Sequence, residues 1–259
     1  MLSYLNCKYP IEIFDFGYNV FESMRVYRGR IFCLDEHIKR LEESAKSIQI
    51  KLAYSREELK RKILEEIKKK KIRDAYVRLS INGKGKLEII LRPPRIYPEE
   101  FYKKGVKVIT VPTIKESISS TFPQTKTGNF LNGIFAFLEK NDSFEAILLN
   151  RDGFITEGTV SNIFMVKDEI LFTSPLYLGI LPGITRRLVL KIAESINILV
   201  KEAPFTRHEL YNAQEVFLTN TSIEIMPVIS VDNRIIGQGY PGKTTQLIYE
   251  AFRKLTLKT

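Results

Sequence analysis

The sequence predicts an α+β fold in two units: a small N-terminal α/β unit over residues 1–114 and a larger unit over residues 125–259, joined by a linker at residues 115–124. The larger unit is expected to carry a mixed, mostly antiparallel sheet with packed helices. Three observations carry this. The first half contains two helix-period stripes followed by strand-like runs. Between the halves, "PTIKESISSTFPQ" loses periodicity and gains Ser, Thr and Pro. The second half is a succession of short apolar runs separated by tight turns, which suits an antiparallel or mixed sheet rather than a doubly wound one. A chain of 259 residues can bury one large core or two of moderate size.

The elements follow in order. Leu34, Ile38, Leu41, Ala45 and Ile48 recur at spacings of four and three, laying one apolar stripe along a helix that starts near Asp35. Ser55 and Glu58 have capping-box spacing at the head of a second helix presenting Leu59, Ile63 and Ile67. "AYVRLSINGKGKLEIILR" places two β-rich runs around Asn82-Gly83, a hairpin signal. "GVKVITV" adds a strand. Beyond the linker, Asn129 to Lys140 reads as a helix, "EAILL" as a strand, and "NRDGFI" as a turn into "TVSNIFMV". "KDEILFT" is a further strand. "LPGITRRLVLKIAESI" opens a helix with Pro182 and Gly183 at its start, and "AQEVFLTNTSIEIMPVI" is a strand, a polar turn and another apolar run. Thr244 to Leu255 closes the chain as a helix.

Composition narrows the function. With 44% hydrophobic and 27% charged residues the chain reads as an ordinary globular protein. Its first residues lack a basic region followed by a long apolar stretch, and no segment has the run of apolar residues a membrane span needs, so a cytoplasmic protein is expected. Part of the net charge of +10 lies in "REELKRKILEEIKKKKIRD", where the lysines complement a helix dipole on a solvated face. No nucleic-acid motif accompanies it, and neither nucleic acid nor membrane is expected as a partner. Cys7 and Cys33 lack metal-ligand spacing and suit a reducing compartment, and with His37 and His208 as the only histidines no metal site is expected.

Four features of the second half can form one site. Lys126 lies in a Pro-Gly-Asn turn before an apolar helix, and Glu157 lies in a Gly-rich hairpin. Gly183, Ile184 and Thr185 sit at a helix start, where free backbone amides and the dipole favour a phosphate. Thr219, Thr221 and Ser222 form a hydroxyl-rich turn. An amine, a phosphate cup and a carboxylate are the parts that pyridoxal 5'-phosphate chemistry needs. Locally, each residue reads equally well as a turn, cap or surface charge.

The blocks "FES..RVYRGRIF.L.EHI.RL..SA", "KTGNFL", "DGFITEGTVSNIF", "GILPGITR" and "TNTS.EIMPV" occur in this order over nearly the whole chain, and in this it resembles the class IV aminotransferases, the fold-type IV pyridoxal phosphate enzymes. The resemblance implies a large unit with a mixed sheet or barrel and a homodimer. It also implies roles. Lys126 matches the Schiff-base lysine and Glu157 the carboxylate facing the pyridine nitrogen. Arg40, Gly183, Ile184, Thr185, Thr221 and Ser222 match the phosphate cup, and Asn162 supports the cofactor ring. Tyr76 and Arg78 match substrate contacts. One departure is Phe130, where many branched-chain members have a tyrosine whose phenol bonds the cofactor.

The family includes aminotransferases for branched-chain L-amino acids and D-amino acids, and aminodeoxychorismate lyase, which releases pyruvate to leave 4-aminobenzoate for folate biosynthesis. Ser23 in "FESMR", the "TNTSIEIMPV" turn and Phe130 resemble the lyase, with Ser23 then assisting proton transfer in catalysis. "YVR" and Glu224 resemble the aminotransferases. The sequence reading places the lyase first and the aminotransferase second. Either way the substrate is a small anionic molecule bearing an amine.

Overall fold

The computed structural model describes residues 17–116 and 123–258. Cys7 and the centre of the expected linker lie outside the described residues. Two sheets organise the rest. The first is antiparallel and contains β1 (Asn19–Tyr27), β2 (Arg30–Ile31), β3 (Ala75–Asn82) and β4 (Leu87–Arg92) in the order β2-β1-β3-β4. Helices α1 (Leu34–Ser47) and α2 (Arg56–Lys69) supply Ile38, Leu41, Leu59 and Ile63 to a core shared with Val20, Met24, Val26 and Val77. The capping box of Ser55 and Glu58 forms as expected, whereas α1 begins one residue before Asp35, behind Cys33 in a left-handed conformation.

The sequence reading gives no strand over residues 19–27, and the structure shows why. β1 alternates between a buried face and a half-buried one, but Glu22 occupies a buried position between Val20 and Met24. A charge on the inward face hides the period of two on which strand recognition rests. The half-buried face carries Phe21, Ser23 and Arg25, opposite Ser80, Arg78 and Tyr76 of β3.

The second sheet contains β5 (Val106–Ile114), β6 (Glu145–Leu149), β7 (Ile155–Gly158), β8 (Asn162–Lys167), β9 (Ile170–Thr173), β10 (Val200–Glu202), β11 (Glu215–Asn220), β12 (Glu224–Val231) and β13 (Arg234–Ile235). Its order is β10-β9-β8-β11-β12-β5-β6-β7, with β13 on β12. Pairs β9/β10, β5/β12 and β5/β6 are parallel and the others antiparallel, so the sheet is mixed as expected. It curls until β7 returns to β8, where Asn162 Nδ2 donates to Glu157 Oε2 at 3.2 Å. The helices are α3 (Glu99–Lys104), α4 (Leu131–Glu139), α5 (Ile184–Ser195), α6 (Arg207–Tyr211) and α7 (Lys243–Lys258).

β5 corrects the expected boundary at residue 114. Its Val106 and Val108 belong to the core of the nine-stranded sheet, and the strand runs through Ile114, past the point where Pro and Thr suggested a linker. Pro112 is tolerated because it falls where the β5–β6 register shifts between Thr110 and Ile114. We propose that the units divide between β4 and α3, at residues 93–98. They meet again through several contacts, among them three hydrogen bonds. Phe21 N donates to Lys126 O at 3.1 Å, Arg40 Nη1 to Pro182 O at 3.0 Å, and Tyr27 OH to Glu224 Oε1 at 2.7 Å. Among the described residues, no helix is long and apolar enough to cross a membrane and no cluster of potential metal ligands occurs.

Candidate active site

Lys126 is held where the two sheets meet. The edge of β1 that β2 leaves open pairs instead with residues 126–128: Val20 bridges to Thr127, and Gly128 N donates to Asn19 O at 3.2 Å. A side chain on Gly128 would press on the Asn19 amide, which would have to shift. Lys126 N reaches Ser44 Oγ of α1 at 3.3 Å. With its backbone tied on both sides, the Lys126 ammonium lies 4.7 Å from the centre of the Phe21 ring. Burial, reinforced by the Arg40 guanidinium, pulls its pKa down to about 8 against the opposing pull of Glu22 and Glu157. A depressed amine of this kind is what a nucleophile and proton carrier near neutral pH needs.

Arg40 sits behind the amine. Nε and Nη2 each donate to Glu22 at 2.7 Å, a two-pronged pair buried on both sides. Nη1 donates to the carbonyl of Pro182, which places the guanidinium beside the N-terminus of α5. Gly183 is the residue preceding α5 there, and a side chain on it would strike Asn162 Oδ1. Ile184 and Thr185 form the first helical turn, both buried, with backbone amides lacking intrahelical acceptors. A cation and a helix N-terminus thus converge at one place.

Glu157 is buried and has partners on both oxygens, with one lone-pair site of its carboxylate left over. Oε2 accepts from Asn162 Nδ2 and from Leu181 N at 2.9 Å, and Oε1 pairs with Lys115 Nζ at 2.6 Å. Asn162 also donates to Leu181 O at 3.0 Å, so it ties the Glu157 strand to the loop that ends in Gly183. Thr219 is the cross-strand partner of Asn162, and its buried hydroxyl has no hydrogen-bond partner among the described residues. Thr221 and Ser222 follow in a turn organised by Asn220, whose Oδ1 accepts from Ser222 N at 2.7 Å and Ile223 N at 2.8 Å. Asn220 Nδ2 donates to Val160 O at 3.1 Å, setting this turn beside the β7–β8 turn. Thr221 and Ser222 therefore join the group through Thr219 and Asn220, without a direct bond to Arg40 or Gly183.

The wall facing Lys126 comes from the four-stranded sheet. Arg78 stacks its guanidinium 3.8 Å from the centre of the same Phe21 ring. Ser23 Oγ and Tyr76 OH are hydrogen-bonded at 2.7 Å, so the Ser23 hydroxyl is engaged with Tyr76. Phe130 covers Gly133 of α4 with its ring. The sequence reading missed Glu22, His37, Lys115 and Asn220. The first signal available for Glu22 was its charge within an otherwise apolar alternation; Lys115 and Asn220 carry no local signal.

These residues fit pyridoxal phosphate. The unpartnered Thr219 hydroxyl, the glycine packed against Asn162, and the guanidinium beside a helix start suit an anion and a polar ring. Fold and site together define a cofactor-dependent enzyme built around a depressed lysine.

A family model for the class IV amino-transferases matches residues 19–231. A Methanocaldococcus jannaschii protein provisionally described as a branched-chain-amino-acid aminotransferase is 38% identical over 280 aligned positions, covering 100% of this chain and 97% of the relative. The D-alanine aminotransferase of Bacillus licheniformis is 35% identical, covering 94% of this chain and 89% of its own length. A T.th. branched-chain amino acid aminotransferase, solved with pyridoxamine 5'-phosphate, superimposes with a TM-score of 0.88 at 30% identity, over 94% of this chain and 87% of that one. The chain belongs to the class IV aminotransferase family and uses pyridoxal 5'-phosphate. These comparisons back the aminotransferase alternative better than the lyase placed first from the sequence.

Proposed function

We propose that the protein transfers the amino group of a branched-chain L-amino acid to a 2-oxo acid. The observation that carries this reading is the Phe21 ring, flanked by Lys126 and Arg78, an apolar surface between an amine and a guanidinium of the kind that suits a carboxylate. The similarity to a branched-chain aminotransferase structure supports it. Bound pyridoxal phosphate supplies an electron sink for the charge left when a proton leaves the substrate α-carbon. Lys126 Nζ accepts that proton and returns it during the transfer. Glu157 keeps a proton on the ring nitrogen, with Asn162 fixing its carboxylate. Arg40, the amides of Ile184 and Thr185, and the hydroxyls of Thr221 and Ser222 hold the phosphate. Arg78 and Tyr76 bind the substrate carboxylate, and Ser23 lines the side-chain wall through Tyr76.

We assign the assembly as a homodimer built on α4. Leu131, Ile134, Phe135, Phe137 and Leu138 are all more than half or about half exposed on this short helix, a density of apolar surface that supports this reading. The helix begins five residues after Lys126, which places the proposed interface next to the site in the chain.

The test is a transamination assay on the loaded enzyme with 2-oxoglutarate. L-leucine, L-isoleucine and L-valine are expected to outpace D-alanine by about tenfold or more in kcat/KM. Faster turnover of D-alanine, the substrate named for the Bacillus relative, would replace the proposed donor. Release of 4-aminobenzoate from aminodeoxychorismate with no transamination would restore the lyase.

A further inference from the structure

Glu22 is the most deeply buried charge near the site, and nothing in the reaction as described uses it. It lies on the core-facing side of β1 between Val20 and Met24, with no solvent exposure. Burying a carboxylate there is costly, and for packing alone an apolar side chain would serve as well. The carboxylate is instead saturated by donors: Arg40 Nε on Oε1, Arg40 Nη2 on Oε2, and His37 Nδ1 on Oε2, each at 2.7 Å. Since Glu22 can only accept, Nδ1 is the protonated nitrogen of the His37 ring. Burial holds His37 below its ordinary pKa, and the Arg40 pairing brings Glu22 down to about 2 in spite of burial.

The geometry of Arg40 gives this cluster a purpose. The two bonds to Glu22 fix the plane of the guanidinium, and the bond from Nη1 to Pro182 O fixes its rotation toward α5. One N–H on each Nη nitrogen is left for a ligand. A free arginine side chain loses considerable rotamer freedom on binding an anion, and an arginine already clamped does not. We propose that Glu22, backed by His37, is a positioning residue that aims Arg40 at the cofactor phosphate. This rests on the reading that Arg40 meets the phosphate.

The test compares the affinity of the cofactor-free protein for pyridoxal 5'-phosphate and for pyridoxal, which differ only in the phosphate. Wild type is expected to prefer the phosphorylated form strongly, and Arg40→Met to lose most of that preference. Glu22→Gln should weaken pyridoxal phosphate binding by about 10- to 100-fold while changing pyridoxal binding by about twofold or less. Glu22→Asp keeps the charge and so protects folding, but withdraws the carboxylate by one methylene; an intermediate loss of preference is expected. His37→Leu should lose part of the preference, and His37→Asn, which retains a donor near the Nδ1 position, should restore it. An equal loss for both ligands would reduce Glu22 to a fold role, and a wild-type preference in Glu22→Asp would overturn the proposal. If Arg40→Met itself keeps the preference, the phosphate assignment fails instead.

Discussion

The two sheets that meet at Lys126 are built on opposite plans. On the side of the nine-stranded sheet, Glu157, Asn162, Leu181 and Gly183 are buried or half-buried and tied together through mutually fixing hydrogen bonds and close packing. On the side of the four-stranded sheet, Phe21, Ser23, Tyr76 and Arg78 are half-buried and held by one hydroxyl pair and two cation–ring contacts. A fixed network suits a ligand that is the same in every turnover, whereas a lightly held wall suits substrates that exchange. The difference teaches where chemistry and specificity are expected to separate: substitutions in the first region should act on kcat or on cofactor binding, and those in the second on KM and substrate choice.

Lys126 lies between the two regions, and the largest effect is expected there. Lys126→Ala should lower turnover by more than about 1,000-fold, measured as 2-oxo acid formation at saturating cofactor. Retained activity in that variant would contradict the amine's role. Next comes the fixed side. Glu157→Gln keeps the shape but removes the charge, and kcat should drop by about 100-fold or more with little change in KM. A pure KM effect would place Glu157 on the wrong side of the comparison.

The exchangeable wall gives smaller effects of a different kind. Arg78→Met should raise KM for amino acid and oxo acid by about 10- to 100-fold while leaving cofactor affinity intact, which a binding titration can separate. Ser23→Ala removes the hydroxyl bonded to Tyr76, and the kcat/KM ratio of leucine to alanine should rise by about tenfold or less. No change in that ratio would remove Ser23 from the wall.

The smallest effect is on stability. The folded-state pKa of Lys126, about 8, lies below its unfolded value. Between the two, the unfolded chain binds more protons, so stability rises with pH through this window. The cost of the buried charge is full below about pH 8 and relieved toward roughly pH 10. Unfolding of the cofactor-free protein in denaturant should therefore show the stability gap between Lys126→Met and wild type narrowing as pH rises through that range. A gap that widens would contradict the depressed amine.

Much of this architecture is legible in the sequence, and the exceptions share a cause. The α1 stripe, the Ser55–Glu58 cap, the hairpin at Asn82-Gly83 and the helix start at Gly183 are local patterns, so periodicity and turn chemistry find them. β1 escapes because Glu22 breaks its alternation, and the end of β5 resembles a linker because of Pro112 and its polar neighbours. Within the site, motif order points to Lys126 and Glu157. Their partners Lys115 and Glu22 come from other elements, and only folding brings them together. The choice of reaction is least legible. Ser23, on the half-buried wall, and Phe130, exposed at the start of α4, draw the reading toward a lyase because residue types at such positions say little about which substrate they meet.

The most direct test of the central claim is the visible absorbance of the pyridoxal phosphate-loaded protein on adding L-leucine, followed by 2-oxoglutarate. The account predicts that the cofactor band disappears with the amino acid, returns with the oxo acid, and does neither in Lys126→Ala. A band that no amino acid converts in the wild-type protein would contradict the aminotransferase assignment.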